Sequence, residues 1–417
     1  MPMPHAHSLT RRALLGGIAA TTATATATAL LVPAFAGTAT AAGPATTRSL
    51  LREKPAPSLE ILTDILQRLP GNLVTLDDPP IPFTFADVQA QYTALGIPAF
   101  TEWDGTPEQF RMYGNATSML PLGQVGAFLY TADEEFLAAI GFNPLATHQA
   151  LQVGLASGAV MAFRGGFDPE GVTAALEASG YAPMTTITGQ PAWSNGPDGE
   201  FSPMDPIQRR TVGAMNNAFV LDDEWLIFTR TLATLDAIAA FAAATTEDSV
   251  FAAPGVSETI AMLNDETVSV LALQGDMLTP EMTFPPEDAA LPEALAASDA
   301  TTGPLPAASL LAMAVTAGIR PLADGEDAAA LEEIVVQALL AMTSPTDAEA
   351  AAEIVAARWD ALSSTVTSGP YTDLLTIDTA EAVGTVAAFD FTVAGPPSAW
   401  FRLIDNRDWL PFVTTGA

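Results

Sequence analysis

Ala159-Val160-Met161-Ala162-Phe163-Arg164-Gly165, followed by Phe167-Asp168-Pro169-Glu170 and by Val172 to Gly180, decides the fold class of this chain. The first run is short, apolar and bounded by glycine, as a buried strand is. Asp168 then stands where a side-chain oxygen can accept from the free amides of a helix start, with Pro169 at the first helical position. Val172, Ala175 and Leu176 form one apolar face, and Gly180 takes the left-handed position that ends the helix. A strand that runs at once into a capped helix makes the chain a mixed α and β protein.

Downstream, Thr185 to Trp193 reads as the next strand, and Asn195-Gly196-Pro197-Asp198-Gly199 as a turn. Ala218-Phe219-Val220-Leu221 and Trp225-Leu226-Ile227-Phe228 flank the acidic turn Asp222-Asp223-Glu224 as a hairpin. A helix from Leu232 to Ala243 and a strand from Thr267 to Leu273 follow. This order, β-α-β-hairpin-α-β, is close to a split βαβ arrangement, so the expected fold is a ferredoxin-like α+β sandwich.

Upstream, Ser58 is placed to cap a helix over Leu59 to Leu69, and Pro70-Gly71 ends it. Asp77 to Pro82 is a loop, and Phe85 to Leu95 is expected to be helical. Gly126 to Tyr130 is short and apolar, and Ala132 to Gly154 reads as helix broken at Gly141-Phe142-Asn143-Pro144. Toward the C-terminus, 279–306 is rich in Pro, Ala and acids and reads as a linker or loop. A similar order is then expected to recur. Ser309 to Val315 is a strand. Two helices follow, one carrying Leu331, Ile334, Val335, Ala338, Leu339 and Met342. The other is capped by Thr343 or Ser344 before Pro345 and carries Ile354, Val355, Arg358 and Leu362. Strands over Val383 to Val393, Trp400 to Ile404 and Trp409 to Val413 complete it, with Asp405 to Asp408 as a turn. No residue-level repeat accompanies this recurrence, so two related units rest on element order alone.

The stretch Phe163-Arg164-Gly165-Gly166-Phe167-Asp168, the Gly180-Tyr181 helix end, Trp193 and the Asp222-Asp223 hairpin together resemble a loose group of uncharacterised exported bacterial proteins, over residues 120–245. The resemblance implies an exported α+β protein and brings no catalytic residue.

The N-terminus carries the clearest address. Ser8-Leu9-Thr10-Arg11-Arg12-Ala13-Leu14-Leu15 has the form of a twin-arginine signal: a basic pair with no acid near it, before a weakly apolar stretch to Gly37. Ala39-Thr40-Ala41 fits the small-residue cleavage pattern, and Ala34-Phe35-Ala36 is a second such place. Thr and Gly interrupt the apolar run too often for a membrane span of about 20 residues. Residues 1–41 are therefore read as the signal, 42–57 as a flexible leader, 58–278 and 307–417 as two α+β domains, and 279–306 as their connection. The expected first partner is the twin-arginine translocation machinery, and the destination is the periplasm, the cell envelope or the medium.

Composition removes most chemistry. The chain has no Cys, so thiolate metal sites, iron–sulfur clusters and disulfides are impossible. Of three His, His5 and His7 lie in the signal and His148 alone remains, within a stretch read as helix. A Ser-His-Asp triad would have to use it, and a multi-His metal site cannot form. With 15 Lys+Arg against 48 Asp+Glu the net charge is −33, and loss of Arg11 and Arg12 makes the mature chain more negative still. Such a surface repels nucleic acid and anionic lipid. No EF-hand-like loop, G-x-G-x-x-G or phosphate loop occurs, and Gly255-Val256-Ser257-Glu258-Thr259 lacks the second Gly of a nucleophile elbow. No cofactor and no metal are expected.

Three acidic groups are candidate carboxylate pairs: Asp198 with Glu200 and Asp205; Asp222, Asp223 and Glu224; Asp324 with Glu326 and Asp327. A glycosidase needs two carboxylates across a cleft, whereas each of these groups reads as a turn. Asn115-Ala116-Thr117 matches a glycosylation sequon. Trp103, Trp193, Trp400 and Trp409 lie near loops or strand ends and suit either anchoring of a ligand or core filling. The expectation is a non-catalytic binding or scaffold protein that meets an envelope protein or polymer. The competing expectation is a carboxylate-dependent hydrolase of envelope polymers.

Overall fold

Strand pairing dominates the computed structural model of the protein. It describes residues 58–74, 83–95, 97–98, 106, 109, 112–113, 133–154, 160–198, 202–211, 215–222, 224–242, 248–283, 290–319, 331–365, 367–393, 403 and 408–415. Twelve strands lie in one antiparallel sheet: β1 Phe83–Asp87, β2 Gln149–Val153, β3 Val160–Arg164, β4 Ala182–Thr185, β5 Pro191–Ser194, β6 Asn217–Leu221, β7 Trp225–Thr229, β8 Thr267–Gln274, β9 Ala308–Ile319, β10 Leu331–Met342, β11 Leu375–Val383 and β12 Val386–Val393. Their order across the sheet is β11-β12-β10-β9-β8-β1-β2-β3-β7-β6-β5-β4. The helices are α1 Ser58–Arg68, α2 Val88–Ala94, α3 Glu134–Ile140, α4 Pro169–Ala178, α5 Pro206–Thr211, α6 Leu232–Ala242, α7 Val256–Ile260, α8 Pro280–Thr283, α9 Ala290–Thr302 and α10 Pro345–Ala361. The fold is α+β, and Ala56–Ala417 form one compact unit.

The order has an internal logic. β1-β2-β3 and β8-β9-β10 are each a meander, and β1 pairs antiparallel with β8 at the join, Phe85 opposite Val270. After each meander a helix with Pro at its first turn, α4 or α10, carries the chain to an outermost strand, β4 or β11. From there the strands step back until β7 lies beside β3 and β12 beside β10. The first strands of the two meanders, β1 and β8, thus join them into one sheet.

Helices cover both faces of the sheet, so strands such as β3, β7 and β8 bury residues on both sides. One face is a single core that includes Phe85, Leu151, Ile227, Val270, Ala312 and Leu339, under α1, α6 and α7. The opposite face holds two cores. One packs α3, α4 and α5 on Phe163 and Phe228. The other packs α10, α9 and the C-terminal segment on Met313, Leu340 and Phe389. α2 stands between them, giving Tyr92 to the first and Ala94 to the second.

The capped helix that decided the class forms as read. Asp168 accepts from Glu170 N at 3.3 Å and Gly171 N at 3.1 Å, and Gly180 lies at φ 94°. Tyr181 N donates to Leu176 O and Gly180 N to Glu177 O, the paired bonds of a Schellman end. The hairpin, α6 and α10 also stand where the pattern puts them.

Other elements differ, and burial on two faces explains most of them. Leu331 to Met342, expected as helix, is β10: Val336, Ala338, Leu340 and Met342 enter one core while Leu339 and Ala341 enter the other. Phe85 to Leu95 divides into β1 and α2, with Asp87 as the cap between them. The helix expected to Gly154 stops at Ile140, and β2 takes its last residues. Thr185 to Trp193 is not one strand: it runs from the last residue of β4 through a turn into β5. Val383 to Val393 begins with the β11–β12 turn. Within 279–306, α8 and α9 form, and Leu295 and Leu305 join the core. Leu410–Phe412 is a 3-10 turn and not a strand. The stretches Gly126 to Tyr130 and Asp77 to Pro82 lie outside the described residues.

Candidate functional site

The densest polar cluster runs across one end of the sheet. Asp87 on β1 stands opposite Gln149 on β2, Gln149 opposite Arg164 on β3, and Arg164 opposite Trp225 on β7. Directly opposed residues share a face, so these side chains form a row. Asp87 is buried. Its Oδ2 accepts from Ser58 Oγ at 2.8 Å and from Gln149 Nε2 at 3.1 Å, and its Oδ1 accepts from Ala90 N at 2.9 Å. Arg164 Nη1 donates to Gln149 Oε1 at 3.3 Å, and its Nη2 donates to Glu224 Oε2 at 3.1 Å. Arg68, at the far end of α1, donates to Asp222 and Asp64. The row thus holds the start of α1 through Ser58, and Asp222 in the β6–β7 turn holds its end through Arg68. Ser58, expected as a cap, is the first residue of α1 and spends its hydroxyl on Asp87.

His148 is beside this row but not in it. It precedes β2 rather than lying on a helix, and its backbone continues the pairing: N donates to Arg164 O at 2.8 Å, and O accepts from Val88 N at 2.9 Å. Successive residues in an extended chain point to opposite faces, which turns His148 away from Asp87 and Ser58. Its ring lies over Gly165, where an added Cβ would stand 2.5 Å from Nδ1. A Ser-His-Asp relay is therefore not assembled here. Ser257 lies on α7 and donates to Glu258 Oε2 at 2.9 Å.

The weighed carboxylates are occupied as well. Asp198 Oδ1 accepts from Leu232 N at the start of α6, at 2.7 Å. Asp205 caps α5 through Ile207 N and Gln208 N, both at 2.8 Å, and accepts from Asn195 Nδ2 at 2.7 Å. Asp222 pairs with Arg68 and Glu224 with Arg164, so the acidic turn is tied to the body by two arginines. Glu200, Asp223, Asp324, Glu326, Asp327, Asn115, Trp103 and Trp400 lie outside the described residues, as do Arg11, Arg12, Ala39 and Ala41. Trp193 and Trp409 are buried in cores, with Trp193 Nε1 donating to Glu177 Oε1 at 3.4 Å.

A second polar cluster was not anticipated as a site. Asp408 accepts from Ser364 Oγ at 2.6 Å and from Tyr371 Oη at 2.5 Å, and all three residues are buried. Burial pushes the Tyr371 phenol well above its ordinary range, and the Asp408 charge adds to this. Nearby, Arg358 has no exposed surface. Its Nη1 donates to Val413 O at 2.7 Å and Pro411 O at 3.2 Å, and its Nη2 donates to Asp299 and to Thr415 Oγ1. Burial lowers the Arg358 pKa, and the Asp299 carboxylate opposes that shift. These groups clamp the C-terminal segment onto α10 and α9, with the guanidinium buried and the Asp299 carboxylate half-buried. The one signal in the chain is an arginine on the apolar face of a helix.

A shallow hollow on α4 is lined by Pro169, Glu170, Thr173, Ala174 and Glu177. Among the described residues no three His, Asp or Glu stand together as metal ligands, and no helix is long and apolar enough to cross a membrane.

No protein-family model and no curated protein match the chain. A solved structure, crystal form I of TP0453, is similar with a TM-score of 0.35 and 9% identity, over 81% of this chain and 96% of that chain. A likeness at that score carries no argument about fold or function.

Proposed function

We propose that the protein is exported by the twin-arginine route and works as a non-catalytic binding or scaffold protein of the cell envelope or extracellular space. The observation that carries the second half is the employment of its carboxylates. Asp198, Asp205, Asp222 and Glu224 each hold a helix end or an arginine instead of facing one another across a cleft. A hydrolase needs such a pair free to move protons.

The order of assembly supports the first half. β1 pairs with β8, so the sheet closes only after residues near Ala272 exist. The twin-arginine route carries folded proteins, which suits a sheet built from such distant partners. A finer reading of the fold belongs with this proposal: β12 lies between β10 and β11, the strands that α10 joins, and this supports a split βαβ unit in the C-terminal run.

Two experiments test the proposal. Arg11→Lys with Arg12→Lys should leave uncut precursor in the cytoplasm; continued export would refute the route. Purified mature protein incubated with peptidoglycan and envelope polysaccharide should retain a partner and release no product. Turnover abolished by an acidic substitution would instead establish the hydrolase.

A further inference from the structure

The two edges of the sheet are unlike. β4 has four residues, and Pro183 removes one of its donors. β11 has nine, Leu375–Val383, with no strand beyond it among the described residues. An edge strand presents every second N–H and C=O outward, ready to pair with another chain. Natural edges are commonly guarded by shortness, Pro, Lys or a bulge. β11 has a bulge at Asp378, whose carboxylate accepts from Thr392 Oγ1 at 2.5 Å, and beyond it one further acid, Glu381. Leu375, Ile377 and Ala382 lean on the core under α10, whereas Asp378, Thr379, Ala380 and Glu381 are exposed in sequence, so the middle of the strand meets water.

From this edge we infer a docking site for an extended, Lys- or Arg-bearing segment of a partner protein, added as a thirteenth strand beside β11. The inference rests on the binding reading above. Charge selects the occupant. A second copy of this chain, at net −33, would bring acids against Asp378 and Glu381, and like charges opposed across strands destabilise the pair. A cationic strand gains where that copy loses. Because 378–381 at the middle of β11 are exposed, the added segment needs polar side chains there rather than a continuous apolar face. Backbone bonds would supply affinity, and the two acids would supply register and sign.

The test uses the purified protein and a nonapeptide alternating Lys with Thr and Val, beside its counterpart carrying Glu for Lys. Hydrogen exchange should show new protection of amides 376–383 with the Lys peptide and none with the Glu peptide. Asp378→Lys with Glu381→Lys, both on the exposed strand, should weaken the Lys peptide at least about tenfold and admit the Glu peptide, the scale of two surface pairs turned to repulsion. Absence of binding, binding without protection at β11, or indifference to the double reversal would overturn the inference. A partner that still co-purified in that case would leave the binding reading standing. Polymer turnover is read in a separate assay and bears on that reading alone.

Discussion

Arg358 shows what a single side chain does in this fold. A guanidinium without exposed surface is tolerated because carbonyls of the C-terminal segment and the Asp299 carboxylate replace its water. Arg358→Ala removes all of these bonds at once and strands a carboxylate. It should cost about 3–5 kcal/mol in urea unfolding, the range for breaking a buried pair; a loss under about 1 kcal/mol would show that packing alone holds the tail. Asp347 offers a pH test. Its carboxylate accepts from Ser344 Oγ at 2.7 Å and Thr343 Oγ1 at 2.9 Å, which holds its pKa below the ordinary 3.8. A depressed carboxylate stabilises the fold above the unfolded value and loses that contribution as pH falls through the folded one. The difference in Tm between wild type and Asp347→Asn should be present at pH 6 and vanish on acidification below the folded pKa. An unchanged difference in acid would assign it to the shape of the cap instead.

Among the elements, the turn from β3 to α4 is the most demanding. Gly166 lies at φ 71°, and an added Cβ would run into the carbonyl of Ala146. Gly180, at φ 94°, has open space around it. Gly166→Ala should therefore cost about 2–4 kcal/mol, left-handed strain plus collision, and Gly180→Ala about 1–2 kcal/mol, strain alone. Denaturant midpoints of the two variants check the order. The cap, the Schellman end and the hairpin were legible because each is set by neighbours a few residues away. β10 was not, since Ala338 to Met342 is apolar without a gap and fits a buried helix or a doubly buried strand equally. His148 was misplaced because Pro144, a good helix opener, starts only the 3-10 turn Pro144–Ala146, and β2 begins at Gln149. The polar row escaped notice because Ser58, Asp87, Gln149, Arg164 and Glu224 lie on separate elements.

On the scale of the whole molecule, one core spans both runs of the sheet, with Phe85 and Leu151 from the first and Ala312 and Leu339 from the second. Neither run can cover that face alone. Residues 58–250 and 251–417 made as separate chains should be poorly folded singly and reassociate when co-expressed, with β1 and β8 amides the slowest to exchange. Two independent melting transitions in the intact protein would contradict this. The covered core also separates what the chain determined from what the assembled structure decided. Acidity, the absence of thiol and multi-His chemistry, and the capped helix after β3 follow from residue types and short spacings, and the proposed export address is read at the same range, because local bonds and net charge need no distant partner. The side chains that share a row, the arginine that locks the tail and the strand left open at the edge depend on β1 meeting β8 and β3 meeting β7. Those pairings join residues more than 60 positions apart, and only the burial of both sheet faces selects them.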